Sequence, residues 1–313
     1  VQFPNPEEAG ALDLAMGLAS DVDADVILAN DPDADRLAVA VPNPGGGFVQ
    51  LSGNAVGVLL GSQAIEHSVH PLSQSLVLNS LVSSRQLGTY AKRRGALHLE
   101  TLTGFKWLAN VAMEREQLGG EKFLFAFEEA LGYATTPLVR DKDGISAALW
   151  FVSLLADLRR RGSDVWQELA RISVVTGAHR QLQWSIRLER GLDQRDRIMA
   201  GLRREPPSAL GSSPVSNQSD LLRAHDTVDG ATVFPSSDVL IFVADDGTRL
   251  IVRPSGTEPK IKFYLEAVQP FGAHDDLFST WAVMDRRLDD VRQGLATVLD
   301  RFQNDDGKVG FSG

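Results

Sequence analysis

Three carboxylates stand at i, i+2 and i+4 in Asp31-Pro32-Asp33-Ala34-Asp35-Arg36, where one apolar run, residues 26–29, gives way to a second, residues 37–41. Asn, Asp and Pro punctuate strands, so the acidic hexapeptide reads as a loop joining two of them. Carboxylates gathered on a tight loop can converge on a hard divalent cation, and Mg²⁺ accepts such oxygens while keeping positions open for water or phosphate. An EF-hand loop is excluded, because its sixth position needs Gly and holds Arg36, and its twelfth needs a bidentate Glu and holds Pro42. The plain alternative is an acidic, solvated turn. Strand-end placement and the neighbouring Arg36 argue for a site where metal and phosphate meet.

A second candidate is Arg253-Pro254-Ser255-Gly256-Thr257-Glu258-Pro259-Lys260. A guanidinium, two hydroxyls and the N–H groups of a Gly-containing loop make a local anion cradle. The chain carries 31 Lys and Arg against 41 Asp and Glu, a net charge of −10, so an anion must be met by a local cluster and not by a global field. Phosphate suits the cradle; a simple Gly-Pro turn is the bland reading. In Phe127-Glu128-Glu129-Ala130-Leu131-Gly132-Tyr133, a Glu at a strand end can accept hydrogen bonds from sugar hydroxyls. Lys142, in Arg140-Asp141-Lys142-Asp143-Gly144, can move a proton or hold an anion. Thr103-Gly104-Phe105-Lys106 opens a helical stretch with Thr103 as its expected N-cap. A haloacid-dehalogenase-like phosphatase is a rival reading of the first motif, with Asp245-Asp246 as its distal acidic pair. Yet Asp246-Gly247 runs straight into another apolar stretch, which makes that pair a hairpin turn.

These motifs need a frame. Helical spacing covers residues 7–19, 53–69, 84–94, 103–117 and 144–161, and strand-like runs cover residues 26–29, 37–41, 76–81, 97–102 and 123–127. Their alternation predicts a parallel α/β domain with helices on both faces. Beyond about residue 173 the texture changes. Residues 205–220, rich in Ser, Pro and Gly, are expected to form a long surface loop, and residues 239–244 and 249–252 a hairpin. Residues 260–268 alternate apolar Ile261, Phe263 and Leu265 with polar Lys262, Tyr264 and Glu266, which predicts a strand with one wet face. With a helical stretch over residues 274–302, this reads as a smaller α+β domain with an antiparallel sheet. A length of 313 residues suits two or three domains. Zero Cys excludes disulfides, thiolate metal sites and a cysteine nucleophile, and fits a reducing, cytoplasmic setting. Neither nucleic acid nor membrane is an expected partner.

In this order the motifs resemble the α-D-phosphohexomutase superfamily of phosphoglucomutases and phosphomannomutases. The likeness runs over nearly the whole chain. Residues 3–8, 28–39, 101–107, 125–133 and 255–262 look most like the branch containing phosphopentomutase and glucose-1,6-bisphosphate synthase. The resemblance implies that Asp31, Asp33 and Asp35 bind one Mg²⁺, with Arg36 beside them and Lys142 as a proton-transfer group. It implies sugar contacts from Thr103, Gly104 and Glu128, and a grip on the non-reacting phosphate from Arg253, Ser255, Gly256 and Thr257. The implied activity is a phosphosugar mutase working through a phosphoserine and a bisphosphate intermediate, with a glucose 1,6-bisphosphate-type primer. The implied domains are residues 1–50 (the end of the second), 51–172 (the third, sugar-binding) and 173–313 (the fourth, phosphate-binding).

Two departures matter. Ala130 stands where family members often carry Ser, which leaves pentose against hexose open. No Ser-His-Asn-Pro loop occurs, and Ser68-Val69-His70 ends a helical stretch, so the chain is expected to be a fragment without the phosphoserine. A non-catalytic phosphosugar-binding protein is the competing class. The 313-residue chain alone should therefore give only background activity with glucose 1-phosphate or ribose 1-phosphate in a bisphosphate-primed coupled assay, since a metal does not replace covalent transfer. Robust turnover by the purified chain would contradict this.

Overall fold

The apolar runs flanking the acidic loop fold as β1 (Ile27–Asn30) and β2 (Leu37–Pro42), an antiparallel pair in which Asn30 faces Leu37; β3 (Phe48–Gln50) adds to β2. The computed structural model describes residues 5–8, 10–223, 227–228, 232–256 and 258–304. They form two units, Val1–Gly177 with Phe271–His274, and Ala178–Pro270 with Asp275–Gly313.

In the first unit, helix α1 (Asp13–Asp21) precedes β1 and is shorter than the expected 7–19 stretch. After β3 come α2 (Gly53–Glu66), β4 (Ser75–Ser80), α3 (Gln86–Arg94), β5 (Leu97–Thr101), α4 (Phe105–Gly119), β6 (Lys122–Glu128), β7 (Gly132–Ala134), α5 (Gly144–Arg160) and α6 (Val165–Thr176). The four-stranded sheet runs β5-β4-β6-β7, parallel except for β7. Side chains alternate across it. Leu76, Leu78 and Ala126 meet Leu108 and Ala112 of α4 on one face. On the other, α2 approaches so closely that a Cβ on Gly57 would overlap the Phe127 ring. The α/β layer with helices on both faces is thus present, with β7 and α6 as elements beyond those expected.

The second unit holds β8 (Ala178–Arg187), α7 (Gly191–Arg204), β9 (Ala209–Leu210), β10 (Ser213–Asp220), the short pair β11 (Thr227–Val228) and β12 (Thr232–Val233), β13 (Leu240–Ala244), β14 (Arg249–Pro254), β15 (Lys260–Gln269) and α8 (Leu277–Asn304). Six strands in the order β8-β15-β14-β13-β10-β9 make an antiparallel sheet, the expected α+β arrangement. The β13–β14 hairpin closes through Ala244 N to Thr248 O, with Gly247 at φ +81°. Asp246 sits in that turn and pairs with Arg287 at 2.6 Å, so it has no place at the mouth of a parallel sheet.

Three expectations are corrected. Residues 205–220 are not a loop: β10 pairs with β13 from Val215 to Asp220, with a bulge between Val215 and Asn217. Ser, Asn and Pro are poor strand formers, but hydrogen bonds offered by the neighbouring strand override that preference. The polar face of β15 is not wet either, because Tyr264 and Glu266 are buried. Glu266 lies opposite Arg249 and accepts from His179 Nδ1 at 3.0 Å, so its charge is met inside the fold. Thr103 does not cap α4; the cap position falls to Gly104, at φ +115°, with no side-chain cap bond. Among the described residues no helix is long and apolar enough to cross a membrane.

The tightest backbone approach is at Gly53, where an added Cβ would overlap the carbonyl oxygen of Glu129. Gly53→Ala should cost about 1–3 kcal/mol of stability, as overpacking does. A urea midpoint equal to that of the unsubstituted chain would show that this approach is not needed.

Candidate functional site

The register between β1 and β2 leaves Asp31–Arg36 as their connection, and the loop is folded hard. Ala34 sits at φ +58° and donates its N–H to Asp31 O at 3.0 Å. Asn30 Nδ2 donates to Arg36 O at 2.7 Å, and Gly144 N, at the start of α5, donates to Ala34 O at 3.0 Å. A Cβ at Gly144 would overlap Arg36 O, so only Gly lets α5 close onto the loop. This folding brings one carboxylate oxygen each of Asp31, Asp33 and Asp35 within 4.8 Å of one another. Asp31 is buried, Asp33 exposed and Asp35 half-buried.

Two cations hold this acidic cluster together. Arg36 donates to Asp31 from Nε at 2.6 Å and from its backbone N at 3.1 Å. Burial pushes the Asp31 carboxyl up, but the Arg36 hydrogen bonds and charge together outweigh it and leave Asp31 below the ordinary carboxylate range. Lys142 Nζ lies 2.6 Å from Asp35 Oδ2 and 3.3 Å from Asp141 Oδ1, and 5.9 Å from the centre of the Phe105 ring. Burial lowers the Lys142 pKa, while the bond to Asp35 and the charges of Asp141 and Asp35 raise it above its ordinary value. Lys142 is therefore an ammonium at neutral pH. The lysine stem runs past Gly132, where a Cβ would stand 2.6 Å from Lys142 Cδ.

The sugar-loop candidates lie against the same wall. Glu128 ends β6 and pairs with Gly132, which confines residues 129–131 to a tight reversal with Leu131 at φ +63°. Arg36 bridges to Gly132, and Leu37 N donates to Leu131 O at 3.0 Å, so the reversal and the acidic loop share backbone contacts. Glu128 Oε1 accepts from Gly104 N at 2.6 Å, which joins two of the expected sugar contacts directly. The third, Thr103, has a buried Oγ1 without a hydrogen-bond partner among the described residues. The sequence reading missed Glu129, which accepts from Ser80 Oγ and Ser83 Oγ at 3.1 Å each, and Asn5 and Glu7, which face Arg36 Nη1 at 3.3 and 3.4 Å. Asn5 and Glu7 fell in the stretch of residues 3–8 and Glu129 in that of residues 125–133, each without a role of its own.

The remaining candidates lie in the second unit. Arg253 is half-buried near the end of β14, directly opposite Lys262 of β15. Ser255 N donates to Lys260 O at 2.8 Å, and Ser255 Oγ accepts from Glu258 N at 3.2 Å. Arg195 of α7, absent from the sequence reading, donates to Ser255 O at 2.7 Å. Gly256 is exposed, and Thr257 lies outside the described residues. Arg253 and Lys262 are thus like charges directly opposite on neighbouring strands, an arrangement that is unfavourable by itself.

Known proteins share long stretches of this sequence. Residues 52–172 match the family described as "Phosphoglucomutase/phosphomannomutase, alpha/beta/alpha domain III", residues 1–46 its domain II and residues 212–272 its C-terminal domain. The chain belongs to the phosphoglucomutase/phosphomannomutase family. A "Probable phosphomannomutase" of Haemophilus influenzae is 43% identical over 268 residues, covering 85% of this chain and 51% of that protein. The phosphopentomutase of Mus musculus is 39% identical, covering 88% and 47%. A phosphoglucomutase structure from Paramecium superposes with a TM-score of 0.64 at 19% identity, covering 96% and 50%. The chain thus spans about half the length of the curated relatives it matches.

Within this family member, Asp31 stabilises the fold above the ordinary carboxylate pKa, and that contribution is lost as pH falls through its depressed native value. Arg36→Met should lower the urea midpoint at pH 7, and the gap from the unsubstituted chain should shrink in acid as Asp31 is protonated in both. A gap that stays constant down to pH about 2, below the ordinary range, would show that the Arg36–Asp31 bond contributes nothing to stability.

Proposed function

We propose that this chain is part of a Mg²⁺-dependent phosphosugar mutase that interconverts 1-phosphate and 5- or 6-phosphate isomers. One observation carries the reading: an acidic loop, a lysine and a strand-end glutamate from distant stretches of sequence meet on one wall of the first unit. In this reading residues 1–50, 51–172 and 173–313 act as the end of the second domain, the sugar domain and the phosphate domain. The phosphoryl group passes from a phosphoserine to the free sugar hydroxyl, the bisphosphate reorients, and its other phosphate returns to the serine. In this reading that serine would come from the portion of the relatives that the chain does not match.

The residues fit the metal. All three donors are carboxylate oxygens, the ligands a hard cation prefers, and one oxygen of each lies within 4.8 Å of the other two. Asp31, Asp33 and Asp35 would hold it. When bound, Mg²⁺ offsets negative charge on the transferring group. Arg36 keeps Asp31 ionised and aimed. Lys142 has a proton to give from Nζ to a sugar oxygen as its phosphate leaves. Glu128 and the unpartnered Thr103 hydroxyl suit sugar hydroxyls, and Gly104 fixes the Glu128 carboxylate. Arg253 and Lys262, with Ser255, Gly256 and Thr257, grip the phosphate that does not react. The phosphatase reading loses its distal acid, because Asp246 is engaged in a hairpin turn.

Calorimetry with MgCl₂ should show binding that Asp33→Asn weakens at least about tenfold, as loss of a charged ligand would. Unchanged affinity would remove the metal assignment. In the complete enzyme, Arg253→Ala should raise KM by roughly tenfold or more with a smaller loss in kcat, because the non-reacting phosphate is held equally in ground and transition states. A wild-type KM would return Arg253 to the role of a turn residue.

A further inference from the structure

We propose that Arg195 is a positioning residue for the anion loop of the second unit: it holds the carbonyl of Ser255 so that the Gly256 N–H is aimed at the phosphate. The inference rests on the reading of that loop as a phosphate site, and it adds a residue that does not itself touch the anion. Arg195 belongs to α7, and only 16% of its side chain is exposed. Its guanidinium is held from two sides. Nε and Nη2 meet Asp196 Oδ1 at 2.8 and 2.7 Å, and Nη1 donates to Ser255 O at 2.7 Å. Asp196 is a neighbour in sequence, so the bond to Ser255 is the one that ties the helix to the loop. The local bonds of Ser255 engage its other groups: its N–H donates to Lys260 O at 2.8 Å, and its Oγ accepts from Glu258 N at 3.2 Å. Neither holds its carbonyl. Rotation about the Ser255 Cα–C bond turns the whole 255–256 peptide, and the bond from Arg195 fixes that rotation.

A trans peptide is planar, with its C=O and N–H pointing to opposite sides. Fixing Ser255 O on Arg195 therefore turns the Gly256 N–H away from α7. The cationic side chains stand on that far side. Helix α8 lies against the sheet face that carries Arg180, which pairs with Asp285 at 2.7 Å and lies over the Trp281 ring. Helix α7 packs on α8, where a Cβ at Gly201 would overlap the Phe302 ring. Ser185, five residues beyond Arg180 on β8, points to the opposite face. The register sets Ser185 beside Lys262 and Lys262 beside Arg253, so both cations share the face turned away from the helices. Space beside Gly256 is open, with no described atom beyond its chain neighbours within 4 Å of where a Cβ would stand. An anion on this face accepts from two cationic side chains and one aimed main-chain donor. Arg195 acts from behind the peptide, through its orientation.

The test follows the amide signals of the isotope-labelled 313-residue chain by NMR during titration with inorganic phosphate. In the unsubstituted chain the Gly256 amide should move downfield as phosphate binds; a Gly256 signal that stays in place overturns the proposal without any variant. Arg195→Met should shift the Gly256 signal of the phosphate-free protein and weaken phosphate binding about tenfold, as loss of an aligned hydrogen bond to a charged group would. Arg195→Lys, whose ammonium can still donate to Ser255 O, should recover most of that loss. Circular dichroism and thermal midpoints check that the variants stay folded. Arg253→Ala separates this inference from the reading beneath it. Phosphate binding indifferent to Arg253→Ala removes the phosphate site and the positioning role with it. Binding that needs Arg253 but is unchanged in Arg195→Met overturns the positioning role alone. So does weaker binding in Arg195→Met with the phosphate-free Gly256 signal unmoved, because Arg195 would then act by its charge and not by aiming the peptide.

Discussion

The backbone lock between two loops is the constraint on which the rest of the site depends. Leu37 N reaches Leu131 O at 3.0 Å, Arg36 bridges to Gly132, and Gly144 N reaches Ala34 O at 3.0 Å. Such contacts need main chains at hydrogen-bond distance; a Cβ at position 144 would overlap Arg36 O, and one at position 132 would meet the Lys142 side chain. Ala34 and Leu131 carry positive φ at the two reversals, a conformation of higher energy for residues with a side chain, and the surrounding hydrogen bonds hold them there. Because the strands and α5 are fixed by burial, the carboxylates of one loop and the strand-end glutamate of the other are fixed with them.

Electrostatics completes what the lock begins. Three carboxylates within 4.8 Å repel one another, and two cations offset that repulsion: Arg36 bonds Asp31 and stands 3.9 Å from Asp35, and Lys142 pairs with Asp35. The chain as a whole is acidic, so these local cations, and the opposed Arg253 and Lys262 of the second unit, matter more than net charge.

Much of this was legible in the amino-acid sequence because the signals are short-range. Asn-Asp-Pro at a strand end, Asp246-Gly247 between apolar runs and the alternation of helical and strand periods each depend on a few neighbouring residues, and each appears where expected. The acidic triad and the Arg-Ser-Gly loop were visible as composition and spacing alone. What the sequence could not determine is set by groups far away along the chain. Residues 213–220 become a strand because β13 offers hydrogen bonds, and Glu266 is buried because Arg249 and His179 meet its charge. Gly104 takes the cap position that Thr103 was expected to fill, and donates instead to Glu128, 24 residues on. Asn5, Glu7 and Arg195 join their sites only through folding. Local chemistry determined which residues could act; long-range hydrogen bonding and the burial of charge decided which of them meet.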